Sequence, residues 1–258
     1  MFETGDARIQ LAVVDETATI TLARPEKLNA LDKPMILALE RAALLVDADP
    51  KIKVAIITGA GNRAFCAGGD IEAWSTETAE DFGLQWVRLG HRAFDALARL
   101  RQPLIAVLNG SAMGGGFELA TCADFRIAEP HIKLSLPETG LGIIPGWSGT
   151  QRAVRRFGAQ IIRRMSLAGE SFNAEQALIH GLVDQVATQG QSMNAAVVMA
   201  QQICTRSTFA TSATKLMINA AEGEDPERAL EALGGIAAAH SQELKAGLAA
   251  FRAKKQKH

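Results

Sequence analysis

Two glycine clusters, each close behind a short apolar run, constrain this chain more than any other feature. Residues 54–58 read VAIIT and lead into GAGNRAFCAGGDI; residues 104–108 read LIAVL and lead into NGSAMGGGFELATCA. Apolar runs of this length, bounded by turn residues, read as strands buried on both faces. A glycine behind such a strand lets the backbone approach a ligand closely. A helix that starts there turns free N–H groups and a positive dipole end toward that ligand. Two such turns can aim two donors at one oxygen. For each cluster alone, a tight turn with close helix packing is the simpler reading.

The first cluster also contains Gly59, Gly61 and Ala64 in the spacing of a dinucleotide-binding turn. The expected context is missing. FCAGGDI does not open an amphipathic helix, and the acidic residues further on, Glu77 and Glu80, lie in a polar segment. A nicotinamide cofactor is therefore not expected.

Around these clusters the pattern is mixed α/β. Residues 9–22 predict two short strands about an acidic turn, and Asp32 with Pro34 opens a helix with Leu31, Met35, Leu39, Ala42 and Val46 on its apolar stripe. Residues 72–83 read as a polar, mobile surface segment, followed by a helical stripe through Leu84, Val87, His91, Phe94 and Leu97. DFRIA and IKLSL read as strands, and a long glycine/proline loop then feeds a helix from Thr150. Strand patterns stop near residue 192, and Asp225 with Pro226 reads as the N-cap and first turn of a late helix. The expected division is a core over residues 1–191 and a helical oligomerisation region over 192–258.

Composition excludes several function classes. With 27 basic and 28 acidic residues, a net charge of −1 supplies no field for nucleic acid or acidic lipid. Cys66, Cys122 and Cys204 are widely spaced and odd in number, which suits a reducing compartment and makes no thiolate zinc site. The five histidines form no metal-binding spacing, so no metal is expected. No window reaches the ~20 apolar residues of a membrane span. The first ten residues have no apolar signal segment, so the expected address is cytoplasmic.

Glu118 falls in the first turn after the second cluster, where a carboxylate suits a helix N-terminus by under about 1 kcal/mol. Glu138, in LPETGLG, reads equally as a solvated loop acid. Taken together with the glycines, these residues resemble a family. AFCAGGDIEAW, NGSAMGGGFELATCADFRIA and LSLPETGLGIIPGWSGTQR are similar to the motifs of the crotonase (enoyl-CoA hydratase/isomerase) superfamily. RPEKLNALD resembles its first acyl-CoA loop, HGLVDQV its late core segment and AGLAAFRAKK its C-terminal end, so the likeness runs over nearly the whole chain.

The resemblance implies an α/β fold, a crotonase-like spiral of ββα units with a C-terminal helical region, assembled as a trimer or a dimer of trimers. It implies an acyl-CoA substrate, with no separate cofactor because coenzyme A is part of that substrate. The N–H groups of Gly69 and Gly115 would bind the thioester oxygen, and Glu118 and Glu138 fall where the hydratases carry two catalytic glutamates. Coenzyme A would lie along Lys27, Leu28, Ala67, Asp70 and Ile71, with Lys254, Lys255 and Lys257 reaching phosphates of a neighbouring subunit. Lys27 alone reads as a solvated surface lysine, the terminal lysines as a basic tail, and Asp70 as a residue that fixes its own loop. Hydration of an enoyl-CoA is the activity implied. Double-bond isomerisation is the alternative, and a non-catalytic scaffold needs none of these four residues.

The chain departs from the family's usual P-G-x-G-G-T at Trp147 and Ser148. Gly146 and Trp147 would border the acyl pocket. The indole either narrows that pocket or packs outward between subunits. Ser148 puts a Cβ into a turn that usually has none.

Overall fold

The computed structural model describes residues 2–255. Its strands fall into two sheets because, after a first hairpin, three successive turns of the chain each give one strand to each sheet. The hairpin β1 (Ile9–Val14) and β2 (Thr17–Leu22) turns through Asp15 in a left-handed conformation. Helix α1 (Lys33–Ala48) follows, its N-terminus capped by the Asp32 carboxylate, which accepts from the Met35 N–H at 3.0 Å.

The next three turns repeat one plan. β3 (Val54–Gly59) lies in the large sheet and β4 (Ala64–Cys66) in the small one. Helices α2 (Ile71–Trp74), α3 (Ala79–Asp81) and α4 (Arg88–Ala98) come next. β5 (Leu104–Leu108) and β6 (Ser111–Met113) divide in the same way before α5 (Gly115–Ala120). β7 (Phe125–Ala128) and β8 (Lys133–Ser135) divide likewise before α6 (Arg152–Phe157) and α7 (Ala159–Leu167). β9 (Phe172–Asn173), α8 (Ala174–Ile179) and β10 (Gln185–Val186) complete the sheets. The large sheet has the order β1-β2-β3-β5-β7-β10 and the small one β4-β6-β8-β9, so the expected spiral of strand–strand–helix units is present.

The strands of the large sheet are continuously apolar because both faces are covered. Ala55, Ile57, Leu104 and Ala106 face the main core with α1 and α4. Val54, Ile56, Ile105 and Val107 face α9 (Ser192–Cys204) through Ala196 and Ala200. Three helices follow, α10 (Thr208–Ala221), α11 (Pro226–Ala239) and α12 (Gln242–Lys255). They are tied back through buried Lys215, whose ammonium donates to the Gln102 carbonyl and the Asp124 carboxylate at 2.8 and 2.7 Å. No helix among the described residues is long and apolar enough to cross a membrane.

Four expectations need correction. Residues 72–83 are not a featureless surface segment: they contain α2, α3 and the start of a π-helical turn, Phe82–Val87. That turn shifts the helical register, so Leu84 is exposed and Trp86 is buried, and the apolar stripe holds only from α4 onward. The helix expected from Thr150 begins at Arg152. Asp225 precedes α11 as expected but in a left-handed conformation without a capping bond, and its carboxylate pairs with Arg99 and Arg228. The turn at Gly59 and Gly61 runs into strand β4 rather than a helix, as the missing dinucleotide context requires.

Candidate active site

The parallel register of the small sheet assembles the site. Cys66 of β4 stands opposite Ala112 of β6, and Met113 of β6 opposite Ser135 of β8. Gly69, Gly115 and Glu138 each come just after one of these strand ends, so three successive turns deliver them side by side. They line one cavity together with Glu118, Gly146 and Trp147. This placement at the carboxyl ends of parallel strands is where open α/β sheets hold ligands.

Close backbone approach keeps this corner open. Gly68 has φ +100°, and a Cβ there would sit 3.0 Å from the Met113 carbonyl and 3.1 Å from the Gly115 nitrogen. Gly114 has φ +54°, and its Cβ would lie 2.8 Å from Glu138 Oε1. A Cβ on Gly116 would come within 1.9 Å of the Cys66 carbonyl oxygen, so α5 rests directly on the end of β4. The N–H of Gly115 is the first of α5 and has no helical acceptor. The N–H of Gly69 is left over from its bridge with Leu31, which uses the Gly68 carbonyl and the Asp70 N–H. Among the described residues neither has an acceptor.

Glu118 is 1% exposed and Glu138 7%. Glu118 Oε1 accepts from the Trp147 N–H at 2.8 Å and the Gly149 N–H at 2.6 Å. Burial, reinforced by the nearby Glu138, raises the Glu118 carboxyl from 4.5 to about 7, against the pull of those two N–H groups. Burial also raises Glu138 above the usual carboxylate range, and its Oε2 has no hydrogen-bond partner. Two buried carboxyls of one sign bordering one cavity favour a state in which one of them keeps its proton. The arrangement can therefore bind an oxygen at two N–H groups while one carboxylate takes a proton and one carboxylic acid gives one.

The loop after Pro145 supports Glu118. Ser148 occupies φ +84°, and its Oγ lies 3.2 Å from His91 Nδ1. Arg152 is 2% exposed and donates to Glu224 at 2.7 Å and to Asp95 at 2.7 Å, which fastens the loop's far end to α4 and to the α10–α11 connection. Trp147 turns inward: it is 3% exposed, with its ring centroid 5.3 Å from that of Trp86 and 5.2 Å from that of Phe94.

Residues expected to hold coenzyme A surround the cavity mouth in part. Ala67 and Ile71 line the cavity, whereas Lys27, Leu28 and Asp70 do not. Lys27 is exposed and paired with Glu72 on α2. Leu28 takes a left-handed conformation, and its carbonyl accepts from the Ala67 N–H, joining the first loop to the glycine cluster. Asp70 caps α2 through the Glu72 N–H and pairs with Arg24 at 2.9 Å. Lys257 and the side chains of Lys254 and Lys255 lie outside the described residues. Cys66 is buried, and burial pushes its thiol up to about 12, so it is inert at neutral pH. The sequence reading missed Trp74, Phe82 and Trp86, which form one wall of the cavity. Three tryptophans in a chain without tyrosine were the available sign of them.

The family model described as enoyl-CoA hydratase/isomerase matches residues 14–258. The chain is 34% identical to the crotonyl-CoA hydratase of Syntrophomonas wolfei over 249 residues, 94% of each chain. It is 35% identical over 207 residues to the short-chain-enoyl-CoA hydratase of Clostridium acetobutylicum, covering 79% of this chain and 78% of that one. The crystal structure of an enoyl-CoA hydratase from Bacillus anthracis superposes with a TM-score of 0.80 at 29% identity, over 96% of each chain.

Proposed function

The chain belongs to the enoyl-CoA hydratase/isomerase family, and from that premise we propose that it adds water across the 2,3 double bond of an enoyl-CoA thioester. The observation that carries this reading is the pair of buried carboxyls, Glu118 and Glu138, lining the same cavity as the unengaged N–H groups of Gly69 and Gly115.

In the proposed reaction the thioester oxygen accepts from the two N–H groups. Water adds at Cβ and electrons move onto that oxygen, so donors fixed there stabilise the transition state more than the ground state. Loss of one such donor costs about 3 kcal/mol in comparable sites. Glu118, held at Oε1 by two N–H groups, takes a proton from the water as it attacks, which it does in its ionised form. Glu138 has no cationic partner among the described residues, is raised by burial, and in its protonated form gives a proton to Cα as the enolate collapses. Isomerisation needs only one proton-shuttling carboxyl, so two bordering the cavity favour hydration.

Coenzyme A would enter past Ala67 and Ile71, with Lys27 near enough to α2 to meet a phosphate. The proposed assembly is a homo-oligomer, a trimer or a dimer of trimers. The exposed Phe209, Met217, Ile218 and Leu230 on α10 and α11 support it, and light scattering tests it. Three free cysteines accord with a cytoplasmic setting. The deciding experiment follows the conjugated thioester absorbance of crotonyl-CoA with the wild type and with Glu118→Ala/Glu138→Ala. Rapid loss in the wild type alone is expected. Faster turnover of a 3-enoyl-CoA than of crotonyl-CoA would replace hydration with isomerisation.

A further inference from the structure

All three tryptophans of the chain, Trp74, Trp86 and Trp147, border this one cavity. Trp147 occupies its most constrained place. A Cβ on Gly115 would lie 2.6 Å from the benzenoid edge of the indole, and one on Gly69 would lie 3.3 Å from Cη2. The opposite edge faces α4, where a Cβ on Gly90 would come within 2.0 Å of Nε1. The ring is thus wedged between a helix and the two glycines whose N–H groups are free, with Trp86 and Phe94 against it. A glycine inside α4 costs about 1 kcal/mol of helix stability relative to alanine, and here it provides the slot that the indole fills.

The space left over is small. The cavity measures about 90 Å³, whereas pockets that enclose a drug-sized ligand begin at roughly 300 Å³. A volume of this size suits a short acyl chain better than a long one.

We propose that Trp147 sets acyl length in this protein, closing the pocket behind the reacting carbons so that it takes short, butenoyl-sized thioesters and excludes longer chains. The proposal rests on the acyl-CoA reading of the site. Replacing the indole with a smaller side chain opens space between the two glycines and Gly90.

The test is calorimetric binding of butyryl-CoA and octanoyl-CoA to the wild type, Trp147→Leu and Trp147→Ala. Both ligands are saturated, so the readout does not depend on any reaction. The wild type is expected to bind butyryl-CoA more tightly. A buried methylene is worth about fourfold in affinity, so accommodating only two of the four extra methylenes shifts the octanoyl/butyryl ratio by more than tenfold. Trp147→Ala should show that shift and Trp147→Leu a smaller one in the same direction. An unchanged ratio in both variants, with wild-type circular dichroism, would overturn the assignment and place the chain's exit at the mouth between Leu141 and Ile144. Hydration of crotonyl-CoA, measured alongside, separates the two readings. A shifted ratio without hydration removes the proposed reaction and keeps the role of Trp147, and hydration with an unshifted ratio does the reverse.

Discussion

Glu118→Gln is expected to make this protein more stable and less active. The Glu118 carboxyl is raised from 4.5 to about 7 in the folded state, by burial first and by the charge of Glu138 second. A folded-state value above the unfolded one means that the folded protein binds more protons between pH 4.5 and 7. Stability therefore falls as pH rises through that window, and the full cost is present above about 7. A rise of about 2.5 at roughly 1.4 kcal/mol each puts that cost near 3 kcal/mol at alkaline pH. Glutamine keeps a carbonyl oxygen for the Trp147 and Gly149 N–H groups and carries no charge, so it escapes the cost. Urea unfolding of both proteins at pH 5 and pH 8.5, at one protein concentration so that any assembly contributes equally, reads the difference directly. The advantage of Glu118→Gln should widen by about 2 to 3 kcal/mol between the two pH values, while hydration falls by about 10² to 10⁴. An advantage independent of pH would show that Glu118 is not strained toward its neutral form, and the reading of burial and the Glu138 charge as the cause of its raised carboxyl would fall.

Glu138→Gln should lower kcat by about 10² or more while leaving calorimetric affinity for butyryl-CoA within a few-fold, because a proton donor at Cα acts in the transition state alone. Gly90→Ala should destabilise by about 1 to 3 kcal/mol in thermal unfolding despite alanine's better helix propensity, since its Cβ would overlap the Trp147 indole. Arg152→Met should cost about 3 to 5 kcal/mol in urea unfolding, because Glu224 is left buried without its bidentate partner.

What was legible in the chain came from local periodicity and from residues whose chemistry has few other uses. VAIIT and LIAVL announce buried strands because both faces of the large sheet are covered, and Asp32 announces α1 because its carboxylate closes the first turn. The corner where Gly69, Gly115, Glu118 and Glu138 meet was recognisable through the family's motifs, whereas each residue alone had an ordinary structural reading. Other features depend on partners far away in sequence. Trp86 is buried because a π-helical turn advances the register by a step that a 3.6-residue period cannot foresee. Trp147 points inward because Gly90, on another helix, leaves it a slot. Arg152 looks like an ordinary helix-start residue until Glu224, from the link between two late helices, is folded against it. Asp225 has the sequence of a cap, but its carboxylate finds Arg99 and Arg228 instead of the helix N–H groups.

The spiral explains why so few residues are needed at the site. Each turn of the chain ends a strand of the small sheet at nearly the same height, and parallel pairing holds successive ends one strand spacing apart, about 4.8 Å. Whatever stands just past β4, β6 and β8 is therefore presented to one volume without a dedicated loop to carry it. The first two turns deliver backbone donors and the third a carboxyl group. The remaining carboxyl comes from one helical turn into α5, where the loop at Trp147 to Gly149 folds back to hold it. The donors and glutamates are fixed by sheet register, α5 and the main chain from Trp147 to Gly149, while the depth of the pocket is set by the Trp147 indole lodged against α4. A substitution at Trp147 keeps the backbone N–H that holds Glu118 but removes the ring packed beside the two donors, and the paired butyryl and octanoyl titrations measure which thioester then fits.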